Sequence, residues 1–175
     1  RMRLAEQAAA GGFARVSMDG EIAYMDQTAP SVRLGDIRVV LPPGAFLQAV
    51  PAAERAMVDF VAQAAAGAER IADLYCGVGT FTFALAQIAP VYAADGSAPA
   101  IAALNAAVAT APGLKGVTAE ARDLVRRPLL IQEMKKIDLA VFDPPRAGAA
   151  EQAGEIAGSK VSRVIGVSCN PATFA

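Results

Sequence analysis

From residue 54 onward, helix-forming stretches and short apolar runs alternate along the chain, and this alternation constrains the fold more than any other feature. Residues 54–66 have helical spacing and good helix formers. Arg70-Ile71-Ala72-Asp73-Leu74 is an apolar strand that runs into Gly77-Val78-Gly79. Residues 80–88 read as an apolar helix, 91–94 as a strand ended by Asp95-Gly96-Ser97, and 99–109 as a helix with Ser97 or Ala98 near its cap. Further strands are predicted over 116–121, 137–142 and 161–167. Strands separated by helices form βαβ units with right-handed crossovers and parallel pairing, which predicts a doubly wound α/β fold. In such a sheet ligands sit at the carboxyl ends of the strands. The chemistry-bearing residues fall at those ends: 73–79, Asp95, Asp123, 143–146 and 169–171.

The first 44 residues differ. Residues 14–18 and 21–24 flank Asp19-Gly20, a hairpin signature, and 37–41 form another strand stopped by Pro42-Pro43-Gly44. This is a β-rich entry segment too small to be stable alone. The expected organisation is therefore 1–44 as entry segment and 45–175 as the main domain.

Composition narrows the chemistry. Hydrophobic residues make up 54% and charged residues 19%, which suits a globular chain with a large core. No apolar run is long enough to span a bilayer, and Glu6 and Gln7 interrupt any signal-like stretch. No membrane partner and a cytoplasmic location are expected. The chain has no histidine, which removes Ser-His-Asp triads, Cys-His dyads and His-ligated metal sites within it. Cys76 and Cys169 are too few for a disulfide framework or a zinc ribbon, so no metal is expected. Sixteen basic against 17 acidic residues give no basic surplus. A nucleic-acid partner would need a local basic face or a separate module.

Five motifs carry candidate chemistry. In Asp73-Leu74-Tyr75-Cys76-Gly77-Val78-Gly79-Thr80-Phe81, two glycines let the backbone turn tightly and approach a ligand. A dinucleotide site would want a third glycine near position 82, which is Thr. The strand-end acid Asp73 suits a cationic ligand such as S-adenosylmethionine, which carries an ammonium and a sulfonium but no phosphate. Asp95, roughly 20 residues on, is placed to accept from two ribose hydroxyls; alone it would read as a turn residue. Asp123 is a weaker candidate for an adenine amino group. In Asp143-Pro144-Pro145-Arg146 the prolines stiffen the backbone, so Asp143 can orient a planar base, and Arg146 can hold a phosphate or carboxylate. In Ser168-Cys169-Asn170-Pro171, a thiol stands at a strand end. Free cysteines are commonly packing residues, which fits Cys76; polar neighbours make burial of Cys169 less favourable, and a nucleophile is the competing reading.

In this order the motifs resemble the RNA 5-methyluridine methyltransferases, a class I S-adenosylmethionine-dependent family, over about 41–175. The resemblance implies a Rossmann-like fold and S-adenosyl-L-methionine as cofactor. It implies cofactor contacts from Gln48, Asp73, Tyr75, Gly77, Gly79, Asp95, Asp123 and Asp143. It also implies Cys169 and Asp143 as catalytic residues, and Arg146 and Asn170 beside a tRNA or rRNA substrate. In the implied mechanism a flipped-out uridine receives the Cys169 thiolate at C6, and C5 then takes the methyl group. Val50 stands where the family commonly has Asn. The family's general base is a Glu well downstream of the nucleophile, which these 175 residues do not reach. The main domain is accordingly expected to be truncated at its C-terminus, with turnover absent. The family's RNA-binding barrel and clustered cysteines are not visible in this sequence. Two alternatives stay open: a class I methyltransferase acting on another base or atom, and a non-catalytic cofactor-binding fragment. Oligomeric state is left undetermined.

Overall fold

A computed structural model describes residues 2–19 and 21–168. Helix α1 (Met2–Ala10) leads into a hairpin of β1 (Arg15–Met18) and β2 (Glu21–Met25), with a register shift between Val16 and Ser17. A second hairpin follows, β3 (Ser31–Leu34) with β4 (Ile37–Val40), turned by Gly35 at φ 59°. The first hairpin was legible from Asp19-Gly20; β3 and α1 were not read.

The rest of the chain alternates as expected. Helix α2 (Pro51–Ala64) begins on a proline, whose missing N–H costs nothing in the first turn. Then come β5 (Ile71–Leu74), α3 (Thr82–Ile88), β6 (Val91–Asp95), α4 (Ala98–Val108), β7 (Val117–Ala121), β8 (Leu139–Phe142), α5 (Ala150–Ala157) and β9 (Arg163–Gly166). The Ser97 side chain caps α4 by accepting from the Ala100 amide at 3.3 Å. Helix α5 was not anticipated, because it is short and Gly154 interrupts it.

The five strands pair in parallel in the order β7-β6-β5-β8-β9. Side chains alternate between two faces. Ile71, Val91, Ala93, Leu139 and Val141 join the larger core with α2, α3 and α4; Ala72, Leu74, Ala94 and Ala140 join a smaller one with Leu124, Leu129, Met134 and Ile156. The second hairpin contributes Leu34, Ile37 and Val39 to the larger core. The α/β fold with a parallel Rossmann-like sheet and small antiparallel hairpins before it is the one expected. Its chain path sets the site. The chain moves outward from β5 through β6 to β7, then returns across β5 to β8. The carboxyl ends of β5 and β8 therefore flank the topological switch point, where crossovers diverge and leave a crevice.

Candidate active site at the switch point

The loop after β5 is shaped by left-handed backbone. Tyr75 has φ 62°, Gly77 55° and Gly79 104°. At Gly79 a Cβ would lie 2.8 Å from the Phe83 ring and 3.2 Å from Leu104, so this glycine lets α3 close on the strand. At Gly77 a Cβ would meet nothing within 4 Å; here the backbone borders open space, and absence of a side chain leaves room for a ligand to approach. Tyr75 holds a conformation that costs a non-glycine residue about 1–2 kcal/mol. Its ring packs on the smaller core, and its hydroxyl is buried without a hydrogen-bond partner among the described residues. Burial, then the charges of Glu151, Asp123 and Asp95, raise its pKa.

Three carboxylates converge on this loop. Asp95, at the end of β6, accepts from the Gly77 amide at 2.9 Å through Oδ2 and from the Ser97 amide at 2.7 Å through Oδ1. Asp73 is 1% exposed, and Thr82 Oγ1 donates to it at 2.5 Å. Burial, offset by that bond and reinforced by the charges of Asp143 and Asp95, pushes its pKa up to about 7. Asp143 follows β8, with its amide donating to Leu74 O at 3.3 Å; it is half-buried, and burial raises its pKa. A site with several carboxyls, two of them under-solvated, suits a cation and planar hydrogen-bonding groups.

The other expected residues are more dispersed. Asp123, after β7, accepts from the Val125 and Arg126 amides at 3.1 Å each, an Asx-type turn. Gln48 is half-buried in the irregular stretch before α2, and Arg146 is exposed in the turn closed by Gly148 N and Pro145 O. Cys76 is buried; burial, then Asp73 and Asp95, push its thiol well above the ordinary range. A buried, uncharged thiol fits packing better than nucleophilic chemistry. Cys169 and Asn170 lie outside the described residues. The β9 ladder does continue to Val167, whose amide donates to Phe142 O at 2.9 Å, so Val167 comes alongside Asp143 and Ser168 one residue beyond it. No group of three or more His, Cys, Asp or Glu side chains capable of holding a metal occurs among the described residues.

Thr82 was read from sequence only as a missing glycine. Its structural role is positive: a hydroxyl at the first position of α3 that faces the strand-end acid. An acid at a strand end followed nine residues later by a hydroxyl at a helix start is the signal that could have found it.

Comparison with known proteins agrees with this geometry. The family model described as tRNA (uracil-5-)-methyltransferase matches residues 24–175. An uncharacterized RNA methyltransferase of Caulobacter vibrioides is 65% identical over 175 residues, all of this chain and 42% of that protein. The 23S rRNA (uracil(1939)-C(5))-methyltransferase RlmD of Chromohalobacter salexigens is 39% identical over 110 residues, 62% of this chain and 22% of that protein. Among solved structures, the Pyrococcus abyssi tRNA (uracil-54, C5)-methyltransferase in complex with S-adenosyl-L-homocysteine superposes with TM-score 0.72 at 26% identity, over 90% of this chain and 40% of that one. The chain thus spans about two fifths of the length of such relatives. Its glycine loop, switch-point carboxylates and matched family model together make it a member of the tRNA (uracil-5-)-methyltransferase family.

Proposed function

We propose that the chain is the cofactor- and base-binding portion of an S-adenosylmethionine-dependent RNA methyltransferase that methylates C5 of uridine in tRNA or rRNA through Cys169. The observation that carries this reading is the meeting at the switch point of the open Gly77 backbone, the half-buried Asp95 and Asp143 carboxyls with Asp73 buried behind them, and the strand leading to Cys169. The residues fit the cofactor: an open backbone turn admits it closely, and carboxylates complement its ammonium and sulfonium. When bound, S-adenosylmethionine supplies an electrophilic methyl group. Gly77 and Asp95 are the residues nearest to its sugar in this reading, and Gln48, Tyr75, Gly79 and Asp123 complete the cofactor set.

The chain's own chemistry concerns the base. Asp143, stiffened by Pro144 and Pro145, orients uracil by accepting from N3–H. The Cys169 thiolate forms a C–S bond at C6, and the electron pair of the C5–C6 double bond moves to C5 and into the O4 enolate. C5 then takes the methyl group of bound S-adenosylmethionine, the S–CH3 bond breaking so that the sulfonium leaves as the neutral thioether S-adenosylhomocysteine. A general base takes the C5 proton, and the Cys169 thiolate leaves as the C5–C6 double bond returns. This covalent detour is useful because uracil C5 is by itself a poor nucleophile. Arg146 and Asn170 lie beside the base in this arrangement.

The test uses the full-length protein and RNA with 5-fluorouridine at the target. Fluorine does not leave as a proton does, so the adduct accumulates and survives denaturing electrophoresis. Cys76→Ala is expected to retain it and Cys169→Ala to abolish it. An adduct that persists in Cys169→Ala overturns the assignment, and methyl transfer independent of Cys169 points to another atom of the substrate.

A further inference from the structure

The crevice is lined with carboxyls, so it repels a polyanion, and an RNA enzyme built on it must hold the phosphate backbone elsewhere. The cations show where. Arg122, Arg126, Arg127, Lys135 and Lys136, five of the 16 basic residues, fall within 122–136, which contains only two acids, Asp123 and Glu133. This segment leaves the carboxyl end of β7 and crosses the smaller-core face of the sheet to the amino end of β8.

Its internal charges are settled first. Arg122 is buried and holds Glu133 through two bonds, 2.7 and 2.8 Å, while it also donates to the Arg127 and Pro128 carbonyls at 2.8 and 2.7 Å. The guanidinium holds the Glu133 pKa down to about 2. Glu133, at the rim of the same groove and 41% exposed, is therefore compensated by Arg122. The cations left over face outward. Lys135, Lys136 and Arg70 are exposed, make no side-chain ion pair among the described residues, and border one groove of about 460 Å³. Its floor includes Tyr92 and the exposed Thr118, register partners on β6 and β7. At the crevice end of the same segment, Arg126 and Arg127 are 86% and 62% exposed. They meet Asp123 and Glu120 only at 3.7 and 3.6 Å. Exposed pairs of that kind are worth about 0–1 kcal/mol and exchange readily for a phosphate.

We infer that the 122–136 crossover is an RNA-backbone track, with phosphates held by Lys135, Lys136 and Arg70 at the groove and by Arg126 and Arg127 nearer the crevice. The inference rests on the RNA-substrate reading above. The track lies along the open edge strand β7, five residues and about 16 Å long, which leaves the crevice free for one extruded base. Phosphate contacts of this kind position a nucleic acid without reading its sequence. The Thr118 hydroxyl is placed to meet a ribose 2′-OH, the group that marks RNA.

The experiment measures affinity against salt for the full-length protein and an RNA transcript that it methylates. For K135A/K136A, two lost phosphate contacts lower the slope of log K against log [salt] by roughly 1.5. Affinity near physiological salt falls about ten-fold, while cofactor affinity and kcat at saturating RNA stay at wild-type values. K135R/K136R keeps the slope. An unchanged slope in K135A/K136A overturns the track, as does a variant that loses kcat at saturating RNA. Equal competition by polyglutamate and RNA assigns the surface to acidic proteins and also overturns it. Failure of the RNA reading shows separately, as absence of methyl transfer to any uridine.

Discussion

Asp73 stands near the carboxyl end of β5 and Asp138 just before the amino end of β8, and the protein treats these two carboxyls oppositely. Asp138 accepts from the Glu69 amide at 3.1 Å, the Arg70 amide at 2.7 Å and Arg163 at 3.4 Å. Its side chain is 32% exposed. Burial pushes its pKa up, but those donors outweigh burial and leave it lowered. Asp73 has one donor, Thr82, and two like charges nearby, and its pKa rises to about 7. The tyrosines repeat the contrast. Tyr92, near the amino end of β6, donates to Glu120 at 2.6 Å and accepts from Arg122 at 3.4 Å. The Tyr75 hydroxyl, at the other end, is buried with no partner among the described residues. Asp138 and Tyr92 are chemically satisfied and support stability. Asp73 and Tyr75, beside the glycine loop, are held in an unfavourable state, as groups at sites that await a ligand commonly are.

The sharpest way to break this comparison is Asp73→Asn. Between the ordinary value of 3.8 and about 7 the folded protein keeps a proton that the unfolded chain has released, so stability falls as pH rises through that window. Above it the full cost, on the order of 4 kcal/mol, is present. Asn still accepts from Thr82 but buries an NH₂, which gives back about 1–2 kcal/mol. The variant is expected to be more stable than wild type by about 2–3 kcal/mol at pH 8, with little gain at pH 4, measured by denaturant unfolding at both values. A loss of stability at pH 8 removes the contrast.

Asp138→Asn carries the opposite sign. A lowered folded pKa contributes stability above the unfolded value and loses it as pH falls through the folded one. The substitution keeps one amide acceptor and loses the charge. It is expected to cost about 1–2 kcal/mol at pH 7, and the deficit shrinks toward pH 3. A deficit that does not depend on pH would show that the carboxylate's charge is irrelevant there.

The smallest effect sharpens the comparison. Tyr92→Phe removes a bonded hydroxyl and is expected to cost about 1 kcal/mol. Tyr75→Phe removes an unbonded one and is expected to leave the ligand-free protein unchanged or up to about 1 kcal/mol more stable. Thermal melts of the two variants in parallel decide it; equal losses would mean that both hydroxyls are equally satisfied.

The sheet was legible in the sequence because most of its parallel strands carry a short apolar run bounded by a turn signal, and helix α4 carries its own start signals at Ser97 and Pro99. Strand β3 and helices α1 and α5 were not: β3 is only four residues long, α1 and α5 are short, and α5 carries an internal Gly154. The crevice carboxyls were found by their place at strand ends. Their orientation was not. Asp73 shares the pleat face of Ile71 and so turns beneath α3, which needs the Thr82 contact to be seen. The Arg122 network joins residues up to 30 positions apart, and no local pattern announces it.

Asp95 has one further consequence, which concerns entropy. Its two oxygens tie the backbone after β5 to the backbone after β6, and each oxygen keeps a second lone pair. The two loops are already ordered against each other before anything enters the crevice. A ligand that takes the remaining lone pairs therefore meets fixed acceptors and does not have to freeze either loop, so more of its contact energy is retained as affinity.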